Sequence, residues 1–481
     1  MERRWKVLLL ISSGSFMAFL DAPVVSVAFP AISVSFEDAS QTALAWILDG
    51  YFIGFAAFLI VAGRLADRVG RRTVFVGGVG LFTLASLVCA VAPSDEWLIF
   101  GRVAQALGAA AVVPAGQGLM LAEFPGKERK TAIGVLAAII GLGTALAPAI
   151  GGVIVDQLSW RWIFWVNIIG GAAIIAWALS LLERDKRERD APLPDALGAV
   201  LQAAALALLV LGILKVQEWG WGDGRTLASF GIALVALVAF ILRSRGHRAP
   251  VLDFKLFEDR TIAFANLASL VFAIGFFGTI INAVLFLSNV WGYSTLETGL
   301  AFIPGALFSA AFGGPAGKLA ERIGPRPVAA SGAIIAAAGL LLVAVSTGPD
   351  PHFLRDWLPG AMIYSAGIVI ALTGMVGAAV TGVPGHEFAM ASGLNAALRQ
   401  IGGAIGVAVM LAVTADATAL TLNDLAHDGF YIAVAAMFAG GIVALGMGHP
   451  KVVLDEADLV DSGTAGAGGN PAQRLSGAVR E

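Results

Sequence analysis

One ten-residue stretch occurs twice in this chain. Gly63-Arg-Leu-Ala-Asp-Arg-Val-Gly-Arg-Arg72 aligns with Gly317-Lys-Leu-Ala-Glu-Arg-Ile-Gly-Pro-Arg326, with six of the ten positions identical and three exchanged conservatively. The two copies are 254 residues apart, and each lies between two long apolar runs. Two unrelated basic loops would not share this order of residue types, so the sequence predicts an internal duplication.

The composition places this duplication in a membrane protein. Hydrophobic residues make up 58% of the 481 residues and charged residues only 14%, whereas an ordinary globular domain has about 25% charged residues. The net charge of −3 gives no field that would attract nucleic acid. The single cysteine, Cys89, excludes a disulfide framework and multi-cysteine metal sites.

Fourteen runs are long and apolar enough to cross a bilayer, which takes about 20 residues. They are Val7–Phe29, Leu44–Ala62, Thr73–Val91, Trp97–Leu121, Ala132–Val155, Trp162–Leu182, Asp195–Leu214, Thr226–Leu242, Ile262–Val290, Leu300–Leu319, Val328–Val345, Leu358–Val380, Ala389–Thr414 and Phe430–Met447. The fold expected is therefore an all-α integral membrane protein.

The distribution of Lys and Arg predicts how the spans are oriented. If both termini are cytoplasmic, only Arg161, Lys215, Arg225 and Arg355 fall outside, and Arg102 and Arg399 lie within spans. All the other Lys and Arg residues, out of 31, then face the cytoplasm, as expected of a protein in the cell membrane.

The offset of 254 residues corresponds to eight spans at about 30 residues each, which fits two six-span halves separated by an additional hairpin. We predict an N-terminal six-helix bundle over residues 1–190, the hairpin and linker over 191–250, a C-terminal six-helix bundle over 251–450, and a disordered cytoplasmic tail over 451–481.

Several motifs resemble those of the major facilitator superfamily, in particular its fourteen-span drug/proton antiporters of the multidrug-efflux type. The repeated loop resembles the superfamily signature between spans two and three, and Arg102-Val-Ala-Gln105-Ala106-Leu-Gly108 resembles its fourth-span signature. The stretch from Gly143 to Gly152 resembles the antiporter signature of span five, and Leu20–Pro30 the first-span signature of drug exporters. Asn395–Gly403 is similar to a stretch typical of the fourteen-span group.

Three charged residues within spans are the candidates for proton coupling, because a charge in hydrocarbon is costly and marks function. Asp21, Asp49 and Arg102 all fall in the outer halves of their spans and could share one level. The resemblance makes Asp21 the proton site and Arg102 its electrostatic regulator, with Asp49 as a second protonatable site. The alternatives are a static Asp21–Arg102 pair and an Asp49 solvated at the outer boundary.

The loop signature and the fifth span are the candidates for conformational control. The resemblance implies that the loop residues form a cytoplasmic gate that stabilises the outward-facing conformer: Gly63, Asp67, Arg68, Gly70, Arg71, Arg72, Gly317, Glu321, Arg322 and Arg326. In span five, Gly143, Pro148, Gly151 and Gly152 remove side-chain bulk and one backbone donor, which suits a hinge. The alternatives are a solvated basic loop and inert packing.

The candidates for the substrate cavity lie on spans that line it in the superfamily. They are Phe16, Met17, Asn282, Phe286, Tyr364 and Arg399. Packing is the alternative for the first five, and a structural or gating role for Arg399.

The function expected is export of lipophilic or cationic small molecules by alternating access, driven by protons, without a metal or other cofactor, and by a monomer in the lipid bilayer. No enzyme is expected, because His386-Glu387 lacks the second histidine of a metalloprotease motif and no nucleotide-binding Gly-x-x-x-x-Gly-Lys-Ser/Thr occurs. A transporter of one endogenous lipid or metabolite, and a receptor or scaffold, are the alternatives.

Overall fold

The computed structural model describes residues 2–124, 128–183, 195–247, 250–251, 254–381, 383, 388–415 and 421–448, which contain helices and no strand. The helices are α1 (Arg3–Ser35), α2 (Gln41–Val69), α3 (Arg71–Ala90), α4 (Asp95–Glu123), α5 (Glu128–Gln157), α6 (Arg161–Leu181), α7 (Ala196–Trp219), α8 (Gly224–Gly246), α9 (Arg260–Leu285), α10 (Thr295–Ala301), α11 (Ile303–Ile323), α12 (Pro325–Ser346), α13 (Leu358–Val380), α14 (Phe388–Val413) and α15 (Leu422–Ala444).

Thirteen of the fourteen predicted spans are confirmed. Within the described residues, thirteen helical segments are long and apolar enough to cross a membrane, and α10 with α11 counts as one of them. The fourteenth is α5, which is 30 residues long. The predicted disordered tail, residues 451–481, lies outside the described part of the chain.

Two helices begin earlier than the apolar pattern predicts, because their first turns are polar. The tenth span begins at Thr295, where Ser294 and Glu297 form a capping box that satisfies the first backbone N–H groups. It then breaks at Phe302, just before Pro304, which cannot continue the hydrogen-bond ladder of α10. The last span begins at Leu422 rather than Phe430.

The helices form two six-span bundles and a hairpin, which confirms the predicted fold class. Helices α1–α6 pack together, α9–α15 pack together, and α7 and α8 pack on each other while α7 also contacts α2 and α14. The hairpin is tied at one end by Asp195, whose Oδ1 accepts from Gly198 N at 2.9 Å and Arg243 Nε at 2.7 Å. Burial alone would raise the pKa of Asp195, but these two donors hold it below its ordinary value.

The duplication is visible in the backbone. Gly70 and Gly324, which match in the repeated loop, both have positive φ, 115° and 88°. A Cβ built on Gly108 would lie 2.8 Å from Gly78 O, and one built on Gly367 would lie 2.8 Å from Gly332 O. Gly78 and Gly332 are separated by the same 254 residues as the repeated loops, so the two halves repeat their helix packing as well as a motif.

The halves meet along two seams. At the predicted outer side, α5 and α10 touch backbone to backbone, and a Cβ on Gly152 would lie 3.0 Å from Gly299 Cα. Near mid-membrane, α2 crosses α14, where a Cβ on Gly403 would lie 3.1 Å from the ring of Phe52. The glycines are needed because a side chain at either place would separate the helices.

Candidate functional site

Two of the three fully buried charged residues of the described chain form an ion pair in the first bundle. Asp21 on α1 and Arg102 on α4 are both fully buried, and Arg102 Nη1 donates to Asp21 Oδ2. Asn167 on α6 donates from Nδ2 to Asp21 Oδ1 at 2.8 Å. Both carboxylate oxygens of Asp21 therefore accept hydrogen bonds, one of them from a guanidinium.

Arg102 is held by three further groups. Its Nε donates to Ile47 O at 3.0 Å, and Nη1 also donates to Gln105 Oε1 at 2.9 Å. The guanidinium lies 4.4 Å from the ring centre of Tyr51, a cation–π contact, and Nη2 has no hydrogen-bond partner in the described part of the chain. Gln105 Nε2 in turn donates to Ser86 Oγ at 2.8 Å. The pair is therefore the centre of a network that draws on five helices.

Sequence reasoning paired Asp21 with Arg102 but did not assign a role to their partners. Gln105 lies one helical turn after Arg102, so helical spacing could have placed it beside the guanidinium. Asn167 and Tyr51 are on other helices, and nothing in the chain's periodicity tells which face of a buried helix they occupy.

Asp49 does not join this network. It is fully buried on α2, and neither carboxylate oxygen has a hydrogen-bond partner among the described residues. An unpaired carboxylate in such a place is much less costly when it carries a proton. Its role as a second proton site stays a prediction.

The first copy of the loop signature binds the ends of its own bundle. Gly63 lies against Pro114 of α4, and Gly70 makes the turn between α2 and α3. Arg71 Nη1 donates to Gly118 O at 3.0 Å and Arg72 Nη2 to Leu179 O at 3.3 Å, while Arg68 makes contacts of its own. The side chain of Asp67 lies outside the described part of the structure.

The second copy is open to solvent. Glu321, Arg322 and Arg326 are exposed and take part in no ion pair or side-chain hydrogen bond within the described chain. A Cβ on Gly317 would meet nothing within 4 Å. The cross-bundle pairing expected of this gate stays a prediction.

The predicted hinge residues line the contacts of α5 with two neighbours. A Cβ on Gly143 would lie 2.4 Å from the Phe16 ring, and one on Gly151 would lie 3.1 Å from Val24, both on α1. On the other side, a Cβ on Gly299 would lie 2.5 Å from Pro148 O. The signature therefore places α5 between its own bundle and the opposite one.

The predicted cavity residues lie in several different surroundings. Phe16 packs on Gly143, and Met17 is buried. Asn282 donates from Nδ2 to Ala426 O at 2.8 Å, and its Oδ1 has no partner among the residues that the structure describes. Phe286 is fully buried in an aromatic cluster, stacked on Trp357 with ring centroids 6.1 Å apart. A part in substrate binding stays a prediction for each of them.

Tyr364 lines a cavity of about 40 Å³ inside the second bundle, room for about one water molecule. Its walls include Thr279, Leu340, Val343 and Ala361, and the Tyr364 hydroxyl has no hydrogen-bond partner among the described residues.

Arg399 on α14 is the second arginine within a span. It is partly buried, and Nη1 donates to Asn395 Oδ1. Asn395 Nδ2 donates to Asn266 Oδ1 at 3.1 Å and to Ser269 Oγ at 2.9 Å, both on α9. This polar cluster of Arg399, Asn395, Asn266 and Ser269 joins two helices of the second bundle.

Known proteins resemble this chain over most of its length. The model of the Major Facilitator Superfamily matches residues 11–407. The multidrug resistance protein Stp of Mycobacterium tuberculosis (strain CDC 1551 / Oshkosh) is 36% identical over 425 residues, 87% of this chain and 78% of that protein. The tetracenomycin C resistance and export protein of Streptomyces glaucescens is 30% identical over 85% of this chain and 75% of its own length.

Solved structures share the fold. The crystal structure of an auto-inhibited POT family peptide transporter superposes with a TM-score of 0.68, covering 94% of this chain and 98% of that one at 19% identity.

Proposed function

The chain belongs to the major facilitator superfamily, and we propose that it exports lipophilic or cationic small molecules across the cell membrane in exchange for protons. It is a multi-pass membrane protein related to transporters, and its relatives include proteins named for multidrug resistance and antibiotic export. Protons are the only coupling ion in this proposal, with no metal or other cofactor, and the protein acts as a monomer with both termini in the cytoplasm. Neither an enzymatic reaction nor a nucleic-acid partner has a place in it.

The observation that carries the proposal is the buried pair of Asp21 and Arg102. In the structure both carboxylate oxygens of Asp21 accept hydrogen bonds, one from Arg102 and one from Asn167. A proton arriving on Asp21 would cancel the ionic attraction, and Arg102 would keep only the carbonyl of Ile47, Gln105 and the Tyr51 ring. The pair would thus have two arrangements, one without and one with a proton on Asp21. Proton-coupled transport requires such a switch between two states.

The energy available from protons is sufficient for such a switch. One proton crossing 100 mV supplies about 2.3 kcal/mol, and each unit of pH difference supplies about 1.4 kcal/mol more. Because a shift of 1.4 kcal/mol changes an equilibrium tenfold, one proton can bias the two conformers strongly. Asp49 is the second candidate in this scheme, since its carboxylate has no partner to hold it ionised.

The contacts between the bundles support alternating access as the mechanism. Gly152 and Gly299 are in close contact at the predicted outer side, whereas Glu321, Arg322 and Arg326 are exposed at the predicted cytoplasmic side. We assign this conformer to the cytoplasm-facing state. In the opposite state the gate loops close, and α5 bends at Gly143, Pro148 and the Gly151–Gly152 pair.

Accumulation of a lipophilic cationic dye in inverted membrane vesicles tests the proposal. Under a proton gradient we expect the native protein to concentrate the dye, and an uncoupler to abolish accumulation. Asp21→Asn should abolish it too while the protein remains folded. The control is Asp38→Asn, which removes an exposed carboxylate in the loop after α1 and should leave accumulation unchanged.

Three other outcomes would contradict part or all of the proposal. Normal uphill export by Asp21→Asn would remove this residue as the coupling site. No dye accumulation by folded native protein would favour a transporter of one endogenous lipid or metabolite. Failure to move any of a panel of lipids and metabolites as well would favour a receptor or scaffold.

A further inference from the structure

Arg102 and Arg399 are the two arginines that the sequence places within spans. Unlike Arg102, Arg399 has no acidic partner among the described residues. Arg102 is bound to Asp21, whereas Arg399 forms no ion pair within the described part of the chain. Its only hydrogen-bond acceptor there is Asn395 Oδ1. A guanidinium has five N–H donors and is always charged, so most of its donors have no acceptor, and its charge has no counter-ion, among the described residues.

The guanidinium of Arg399 is held in place by a neighbouring side chain. Asn395 presents its carbonyl oxygen to Arg399 because its amide group is bound on the other side by Asn266 and Ser269. This bond fixes one edge of the guanidinium against Asn395, which is itself bound to α9. The other donors of Arg399 stay accessible, because the residue is only partly buried.

The accessible donors lie in the seam between the two bundles. Arg399 is one helical turn before Gly403, and residues four apart on a helix share a face. Gly403 lies against Phe52 of α2 and Phe277 of α9, whose rings make an edge contact at 5.0 Å between centroids. Phe276 packs on Phe277 at 4.9 Å. Arg399 therefore stands on the predicted cytoplasmic side of an aromatic cluster shared by both bundles.

We propose that Arg399 binds the oxyanion of the transported molecule, and that substrates include apolar, ring-bearing acids such as aromatic carboxylates. The carboxylate would take the guanidinium donors that the protein leaves unused, in the planar geometry that suits this pair. The apolar body would lie on Phe52 and the Phe276–Phe277 pair. The inference rests on the proposed transport function and defines one substrate class for it.

A pair of probes with one carbon skeleton tests the inference. Pyrenebutyrate carries a carboxylate, and pyrenebutyramide is its uncharged amide. Binding to the full chain in neutral detergent micelles is measured by equilibrium dialysis, with empty micelles correcting for partition. We expect the native protein to bind the acid about tenfold more tightly than the amide, the scale of one charge-assisted hydrogen-bond pair.

Variants at Arg399 separate charge recognition from structure. Arg399→Gln should bind acid and amide equally, with affinity for the amide unchanged, and Arg399→Lys should recover part of the preference. Arg355→Gln removes an exposed arginine and should keep the native preference. Equal binding of the two probes by the native protein would overturn the inference, and so would a preference that survives in Arg399→Gln.

The outcome is independent of the test of proton coupling. Accumulation of the cationic dye that depends on Asp21, without a preference for pyrenebutyrate, would contradict only the role of Arg399. A preference that depends on Arg399, without proton-driven transport, would contradict only the proposed transport function. If Arg399→Gln does not fold, the graded preference of Arg399→Lys against the native protein decides the question.

Discussion

The two bundles repeat one packing scheme but fill its centre differently. Gly101 and Gly108 of α4 match Gly360 and Gly367 of α13 in their contacts with the preceding helix. In this register Arg102 corresponds to Ala361. Where the first bundle has a buried arginine and its network, the second has the cavity of about 40 Å³ lined by Ala361.

The difference extends to the neighbouring positions. Gln105 corresponds to Tyr364 by the same register, and the repeat offset of 254 residues matches Ser86 with Leu340. Gln105 and Ser86 hydrogen-bond each other, while Tyr364 and Leu340 are two walls of the cavity. The duplication has thus kept the glycines that set the helix spacing and has changed the central side chains. Within the described residues, the buried ion pair of the first bundle has no counterpart at the matched positions of the second.

The largest effect is expected from removing the centre of the first network. Arg102→Leu leaves the carboxylate of Asp21 buried with Asn167 as its only partner, and we expect it to lower the free energy of unfolding by about 3–5 kcal/mol. The measurement is denaturant unfolding in detergent micelles. The double variant Asp21→Asn/Arg102→Leu contains no buried charge at this site and should recover much of the loss. Native stability of the single variant would show that the pair is not desolvated.

A smaller effect is expected at the next matched position. Gln105→Leu removes an acceptor from Arg102 and the donor to Ser86, and should cost about 2 kcal/mol. Its counterpart, Tyr364→Phe, removes a hydroxyl that has no hydrogen-bond partner within the described residues, and should change stability by less than about 0.5 kcal/mol. Equal losses in the same unfolding assay would mean that the two bundles are not distinguished at this position.

Much of the fold and part of the candidate site could be predicted from the sequence, because bilayer thickness and the cost of a buried charge constrain every membrane-spanning chain. The fourteen apolar runs gave the spans, the repeated loop gave the duplication, and charges within spans singled out Asp21 and Arg102. Their partners depend on which face each helix turns inward, and an apolar helix buried on most sides carries little pattern of that kind. The isolation of Asp49, the early start of α15 and the cavity beside Ala361 were therefore not predictable.

The repeated loops allow a comparison at a third matched pair. Gly70 and Gly324 both have a backbone conformation that essentially only glycine adopts, φ 115° with ψ 134° and φ 88° with ψ 160°. Alanine at either position should cost about 1–2 kcal/mol, measured by the same unfolding assay. The control is Gly317→Ala, in the interior of α11 with open space around it, which should be neutral or slightly stabilising. A loss at only one of the two turns would show that the halves differ there too.

The smallest effect tests the cavity itself. Ala361→Val adds two methyl groups on a wall of the cavity of about 40 Å³, and each buried methyl is worth about 0.8 kcal/mol. The lower helix propensity of valine, roughly 0.6 kcal/mol, offsets part of this gain, so we expect a stabilisation of about 0.5–1 kcal/mol and unchanged proton-driven dye accumulation. The control is Ala106→Val on α4. It should destabilise, because Ala106 packs closely on Gly54 of α2: a Cβ built on Gly54 would lie only 2.9 Å from Ala106 Cβ. If Ala361→Val abolished accumulation without loss of stability, the cavity would be part of the transport cycle, and its difference from the buried ion pair of the first bundle would itself be functional.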